Sequence, residues 1–117
     1  MISAMHTALS GLSGFAKTVE VAAHDIANVN TDGFKKSHVE FVEVQSGGIL
    51  PVVQKDNSQG PTILRDMGYG PAPVELSNVD LAEEAINLII GQRGVQANLR
   101  TLDTANAVLG SILDIKR

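Results

Sequence analysis

Between Ile2 and Ile26 the apolar and small residues fall at Ile2, Met5, Leu9, Leu12, Ala16, Val19, Ala23 and Ile26. Their spacing alternates three and four without a break, which is a heptad seam, and no proline interrupts it. The spacing predicts a helix from about residue 3 to 28, roughly 39 Å long at 1.5 Å per residue. The seam is thin, because Ala16 and Ala23 bury little surface. Gly11 and Gly14 each cost about 1 kcal/mol relative to alanine in a helix interior. Such a helix is marginal alone and needs a partner.

The other end of the chain supplies one. Leu81, Ala85, Leu88, Gln92, Val95, Leu99, Leu102, Asn106, Leu109 and Leu113 are again spaced four and three. Ser77 or Asn78 is positioned to cap the start. Asp80, Glu83 and Glu84 put negative charge in the first turns, and Lys116 and Arg117 put positive charge at the far end. These signals predict a second helix over about 79–115, softened by Gly91, Gly94 and Gly110. Its apolar face is wider than a two-helix seam requires. Ile86, Ile89 and Ile90 flank it early, and Ala105, Val108, Ile112 and Ile115 form a second stripe late. A stripe that wide implies more than one neighbour. Gln92 and Asn106 share one heptad position, and two readings stand side by side. Either they fix register and partner number from inside the seam, or the helix rotates slightly and exposes them.

The middle, 29–76, is a turn followed by short extended segments. "VEFVEV" alternates, with Val39 and Phe41 on one face and Val42 and Val44 on the other. Gly47 and Gly48 break it. "ILPVV" is a second extended run whose Pro51 favours an edge. "KDNSQGP" is turn chemistry, "TIL" a third brief strand, and "GYGPAP" a stiff connector into the last helix. The expected fold is therefore mainly α with a small β region: long terminal helices packed as a coiled-coil-like pair, with a short β-rich middle, in one domain over 1–117.

Composition narrows the function. The chain has 117 residues, no cysteine, 3% aromatics and a net charge of −4. Disulfides and thiolate metal sites are excluded. Few aromatic anchors remain for a small-molecule pocket, and the acidic balance argues against nucleic acid. No apolar run reaches membrane-spanning length. The N-terminus lacks a basic region before its apolar part and does not read as a cleavable signal. His6, His24 and His38 show no ligand pairing. Glu83 and Glu84, as helix neighbours, do not converge. Ser10 and Ser13 lack a base, and "GYG" at 68–70 lacks the rest of a phosphate loop. No catalytic, cofactor or metal site is expected.

"IANVNTDGFKK", Ile26 to Lys36, reads as the exit from the first helix. Asn28 and Asn30 suit helix-ending and turn positions, and Asp32-Gly33 offers a left-handed residue. Phe34 then starts the extended part and is placed to pin the turn. The candidate helix–helix assembly residues are Met5, Leu9, Leu12, Val19, Ile26, Leu81, Leu88, Gln92, Val95, Leu99, Leu102, Asn106, Leu109 and Leu113. The candidate hinge residues are Asn28, Asn30, Thr31, Gly33 and Phe34.

With these residues in view, both ends resemble the bacterial flagellar rod and hook proteins. Ala8, Leu9, Ser10, Gly11 and Leu12, then Ile26, Ala27, Asn28, Asn30, Thr31, Gly33, Phe34 and Lys35, match the family's N-terminal signature. Ser77 to Leu81, Glu84, Gln92, Arg93, Gln96 to Asn98, Thr104, Leu109 and Ile115 match its C-terminal one. "VVQKDNSQG" resembles the following stretch of the hook and distal-rod branch. Asp25 departs from the family's usual asparagine, Gly94-Val95 from a small residue plus tyrosine, and the middle is short, closer to the proximal-rod type. The resemblance implies a structural axial component of the basal-body rod in the periplasm. It would be exported by the flagellar type III apparatus without a cleaved signal peptide and would self-assemble through its terminal helices. Its implied partners are copies of itself, other rod and hook subunits and the export apparatus, with no nucleic acid, small-molecule substrate or membrane span. The alternative is a short paralogue that binds rod subunits or the export gate as an adaptor without polymerising.

Overall fold

A computed structural model describes residues 1–115 of the chain. Lys116 and Arg117, expected to place charge at the helix end, lie outside the described residues. The chain is mainly helical: α1 (Ile2–Ala27), β1 (Ser37–Glu43), β2 (Ile49–Lys55), β3 (Thr62–Asp66), β4 (Pro71–Glu75) and α2 (Leu81–Ile115). The two helices pack antiparallel in a rod-like body of 83 × 24 × 17 Å. α1 and α2 begin and end within a residue or two of expectation. The start of α2 differs for a chemical reason: Asp80, rather than Ser77 or Asn78, is the cap. Its Oδ1 accepts the N–H groups of Ala82 at 2.9 Å and Glu83 at 3.4 Å, which satisfies donors with no partner inside the helix.

The middle forms two separate antiparallel hairpins, β1–β2 and β3–β4. Three extended runs and a connector were expected there. The connector instead becomes β4, with Pro71 opposite Asp66 and Pro73 opposite Leu64. In a two-stranded ribbon every strand is an edge, so a proline's missing N–H costs no interior ladder bond. Gly68 (φ +85°) and Gly70 (φ +121°) make the turn between them. The first hairpin packs on α1: the Phe15 and Phe41 rings meet edge to face at 5.2 Å. The second hairpin lies against neither helix, and all five residues of β3 are exposed.

The interior of the helix pair is made of small residues. The buried apolar residues among those described are Ala8, Ala22 and Ala105, joined by Gly11, Gly14 and Gly91. The glycines, read from sequence as weak points, are where the partner element enters. A Cβ on Gly11 would lie 2.5 Å from Asn98 Oδ1, and one on Gly91 would lie 2.6 Å from Val19 Cγ2. Gly94 receives the Phe15 ring, and Gly14 receives Ile49 of the first hairpin. Helix axes approach only as closely as the contacting side chains allow, so these positions set how tightly the pair closes.

Candidate assembly interface

The buried line of each helix is turned relative to the heptad seam drawn from the spacing. In α1, Met5, Leu12, Val19 and Ile26 are half-buried, but Ile2, Leu9, Ala16 and Ala23 are exposed. The line actually covered runs through Ala8, Gly11, Phe15, Thr18, Ala22 and Asp25. In α2, Leu88, Val95, Leu102 and Leu109 are half-buried as expected, while the column Ala85, Gln92, Leu99, Asn106 and Leu113 is exposed. Its place is taken by Glu84, Gly91, Asn98 and Ala105. Of the two readings of Gln92 and Asn106, the rotated helix is the one seen within a single chain. The physical reason is size: Gly and Ala let two backbones approach, and Leu and Ile do not.

The displaced columns leave large apolar side chains on the outer faces of both helices. Leu9 is 55% exposed, Leu99 45% and Leu113 72%. Leu81, Ile86, Ile89 and Ile90 are also exposed towards one end of α2, and Val108, Ile112 and Ile115 towards the other. With Gly11 facing Asn98 and Gly91 facing Val19, α1 begins near Val108, so the surplus length at the C-terminal end of α2 projects beyond it. Shallow grooves of about 410 Å³ (Met1, Ala4, Arg100, Thr104, Val108) and about 290 Å³ (Ile2, Met5, Leu9, Leu102) run along the pair at this end. No helix among the described residues is long and apolar enough to cross a membrane. No group of three or more His, Asp or Glu residues among them gathers to hold a metal ion.

The hinge is organised around Asn28 and Asn78. Asn28 ends α1: its backbone N–H and its Nδ2 both donate to His24 O, at 3.2 and 2.9 Å. Its own carbonyl accepts the Thr31 N–H at 2.9 Å, and its Oδ1 the Thr31 hydroxyl at 3.1 Å. Gly33 takes φ +70°, and its N–H donates to Glu75 O at 2.9 Å. The Phe34 ring packs edge-on against His24 at 5.5 Å. Asn30 lies exposed on the turn.

Asn78 was read from sequence only as a helix cap. It is instead the clamp between hinge and loop. Its Oδ1 accepts the Lys36 N–H at 2.7 Å. Its Nδ2 donates to the carbonyls of Asp56 at 3.0 Å and Ser58 at 3.1 Å. The lysines flanking it are paired: Lys35 with Glu75 at 2.5 Å and Lys36 with Glu83 at 2.7 Å. The Lys35 ammonium, then the Gly60 N–H, hold the Glu75 carboxyl below its usual range. Asp32 of the turn pairs with Arg65 of β3 at 2.5 Å, tying the second hairpin to the hinge. A motif signal was available for Asn78, which lies in the "SNVDL" stretch, but nothing in the local spacing said which backbone it would hold.

Fold and hinge thus define a two-helix structural chain whose ends fold back on each other through the Asn28–Gly33 turn and the Asn78 clamp, with many of its larger apolar residues left outside. Residues 5–35 match the family model described as flagella basal body rod protein. Residues 74–115 match that described as flagellar basal body rod FlgEFG protein C-terminal. The chain belongs to the flagellar basal-body rod and hook family. It is similar to the flagellar basal-body rod protein FlgG of Bacillus subtilis, with 30% identity over 105 residues, 90% of this chain and 36% of the relative. It is similar also to the flagellar hook protein FlgE of Borreliella burgdorferi, with 33% identity over 90 residues, 75% of this chain and 19% of the relative. FlgE of Escherichia coli is 37% identical over 65 residues, 50% of this chain and 16% of the relative. The chain therefore spans about a third of the FlgG relative and under a fifth of the hook proteins.

Proposed function

We propose that this chain is a non-enzymatic axial component of the flagellar rod, assembling through the outer faces of its two terminal helices after export by the flagellar type III apparatus. The observation that carries the reading is the inversion of the helix pair. Alanine and glycine close the chain on itself, while Leu9, Leu99, Leu113, Ile86 and Ile112 are left exposed. So many large apolar side chains left exposed on a folded chain point to an interaction surface. A heterologous contact that does not close on itself builds a helical filament. A pair with so small a core gains stability when neighbours bind its folded form, which suits a subunit that must travel loosely folded.

Cryo-electron microscopy of basal bodies from a strain carrying a tagged copy tests this. The proposal expects density for the helix pair within the rod, and shortened or absent rods on deletion of the gene. Intact rods containing none of the protein would reject it in favour of an adaptor that binds rod subunits or the export gate without polymerising.

A further inference from the structure

Two carboxyl groups lie where the hinge folds back on the helix pair. Asp25, in the last turn of α1, has no exposed surface, and Glu84, in the first turn of α2, is 2% exposed. Asp25 Oδ2 accepts the N–H of Ser37, the first residue of β1, at 2.9 Å. Asp25 Oδ1 is equally buried and has no hydrogen-bond partner. Glu84 Oε2 accepts a hydrogen bond from Asn87 Nδ2 at 3.1 Å, and its carboxyl is close enough to feel the charge of Asp25.

The surrounding charges do not neutralise the pair. From α1 comes His24, exposed beside Asp25. From the hinge comes Lys36, whose ammonium is engaged by Glu83 at 2.7 Å and is also drawn by Asp56. From α2 come Glu83, a further negative charge, and the neutral Asn87. From β1 come the Ser37 N–H and, next to it, His38, which pairs with Glu40 at 3.5 Å. Among the described residues no salt bridge reaches Asp25 or Glu84. A carboxylate buried without a counter-charge forgoes hydration, a second negative charge nearby adds repulsion, and such a group retains a proton.

We propose that Asp25 keeps a proton in the folded chain, carried on its otherwise unpartnered oxygen and held there against the nearby charge of Glu84, and that losing it opens the hinge end of the helix pair. Burial, the largest influence on each, pushes both carboxyls above their ordinary values. The sign follows. A group whose folded pKa is raised contributes stability that is complete below its unfolded pKa. That stability is lost as pH rises through the folded value. The usual carboxylate contribution runs the other way, so this pair makes the fold loosen with alkali.

Urea unfolding of the full chain, followed by circular dichroism across the acid-to-alkaline range, tests the proposal in the parent chain, Asp25→Asn and Glu84→Gln. In the parent, the unfolding constant rises by up to about tenfold per pH unit above the ordinary carboxylate range. Asp25→Asn supplies a neutral side chain of the same shape, removes that rise, and leaves the variant more stable than the parent at the alkaline end. Glu84→Gln also flattens the slope. Carbon NMR of the Asp25 side chain reads the same event directly, as a titration displaced above the ordinary range. The proposal falls if either isostere keeps the parent's slope, or if Asp25 titrates in the ordinary range. It falls too if Asp25→Asn fails to fold, since the amide accepts the same Ser37 N–H and carries no charge.

Discussion

Gly91 and Gly110 lie on the same helix, and alanine at either one removes the same propensity penalty, about 1 kcal/mol. Their surroundings give opposite signs. At Gly91 the new Cβ would lie 2.6 Å from Val19 Cγ2, 3.3 Å from Phe15 O and 3.4 Å from Val19 N. Ordinary carbon contacts begin near 3.5 Å, so the first distance is short by about 1 Å. Val19 is β-branched and holds one rotamer in a helix, so it has no free torsion with which to withdraw. The backbone atoms behind it belong to α1, and relief therefore means moving the whole helix. Overpacking of this kind costs about 1–3 kcal/mol. Set against the propensity gain, Gly91→Ala is expected to lose on the order of 1 kcal/mol. At Gly110 nothing lies within 4 Å, and Gly110→Ala is expected to gain about 1 kcal/mol. Thermal unfolding of the two variants should then bracket the parent, with about 4 °C of midpoint shift per kcal/mol in a chain of this size. Equal stabilisation by both substitutions would refute the close approach of the helices at Gly91.

Three further outcomes are expected. Gly33→Val forces a β-branched residue to φ +70°. With nothing within 4 Å of the new Cβ, the cost is backbone strain alone, about 1–2 kcal/mol; unchanged urea midpoints would show that the turn is not what holds the hinge. Asn78→Ala leaves the Lys36 N–H and two carbonyls without their partner and should cost about 2–3 kcal/mol, with faster hydrogen exchange at Lys36 as the specific readout. Leu99→Asp should leave the helix content of the isolated chain intact while abolishing its sedimenting assemblies, more so than any substitution within 45–60. Loss of helix content instead would place Leu99 in the intrachain seam.

Helix existence, length and pairing were legible because they depend on a period repeated many times along the chain. The rotational setting was not, because a hydrophobicity pattern points to the widest apolar stripe, whereas the closest packing follows the smallest side chains. Ala8, Gly11 and Ala22 carry almost no hydrophobic weight, yet they mark the buried line. The hinge was legible at Asn28, Gly33 and Phe34, where turn chemistry is local. Asn78, Asp25 and Glu84 were not legible as hinge parts, because their roles rest on partners 12 to 42 residues away or across the helix pair. The second hairpin was half legible: a brief strand at Thr62–Leu64 was expected within what is β3 (Thr62–Asp66), but two prolines hid β4, since proline argues against a strand only where both edges are paired.

The inversion of small and large residues also bears on how one sequence serves two states. Had Leu9 and Leu99 formed the intrachain seam, the helix axes would stand further apart and the outer faces would carry Ala, Gly and Asn. Such a chain would be a more stable monomer with little left to offer a neighbour. With glycine and alanine inside, the single chain buries only three apolar side chains among those described, all of them alanine, and its own hydrophobic stabilisation is correspondingly small. The exposed columns at Leu9, Leu99, Ile112 and Leu113 then represent apolar area still available to be covered. On this reasoning the stability of the helix pair and the strength of its association are set by different residues. Substitutions along the Gly11–Gly91–Ala105 line should move monomer unfolding first, and substitutions along the Leu9 and Leu99 columns should move association first.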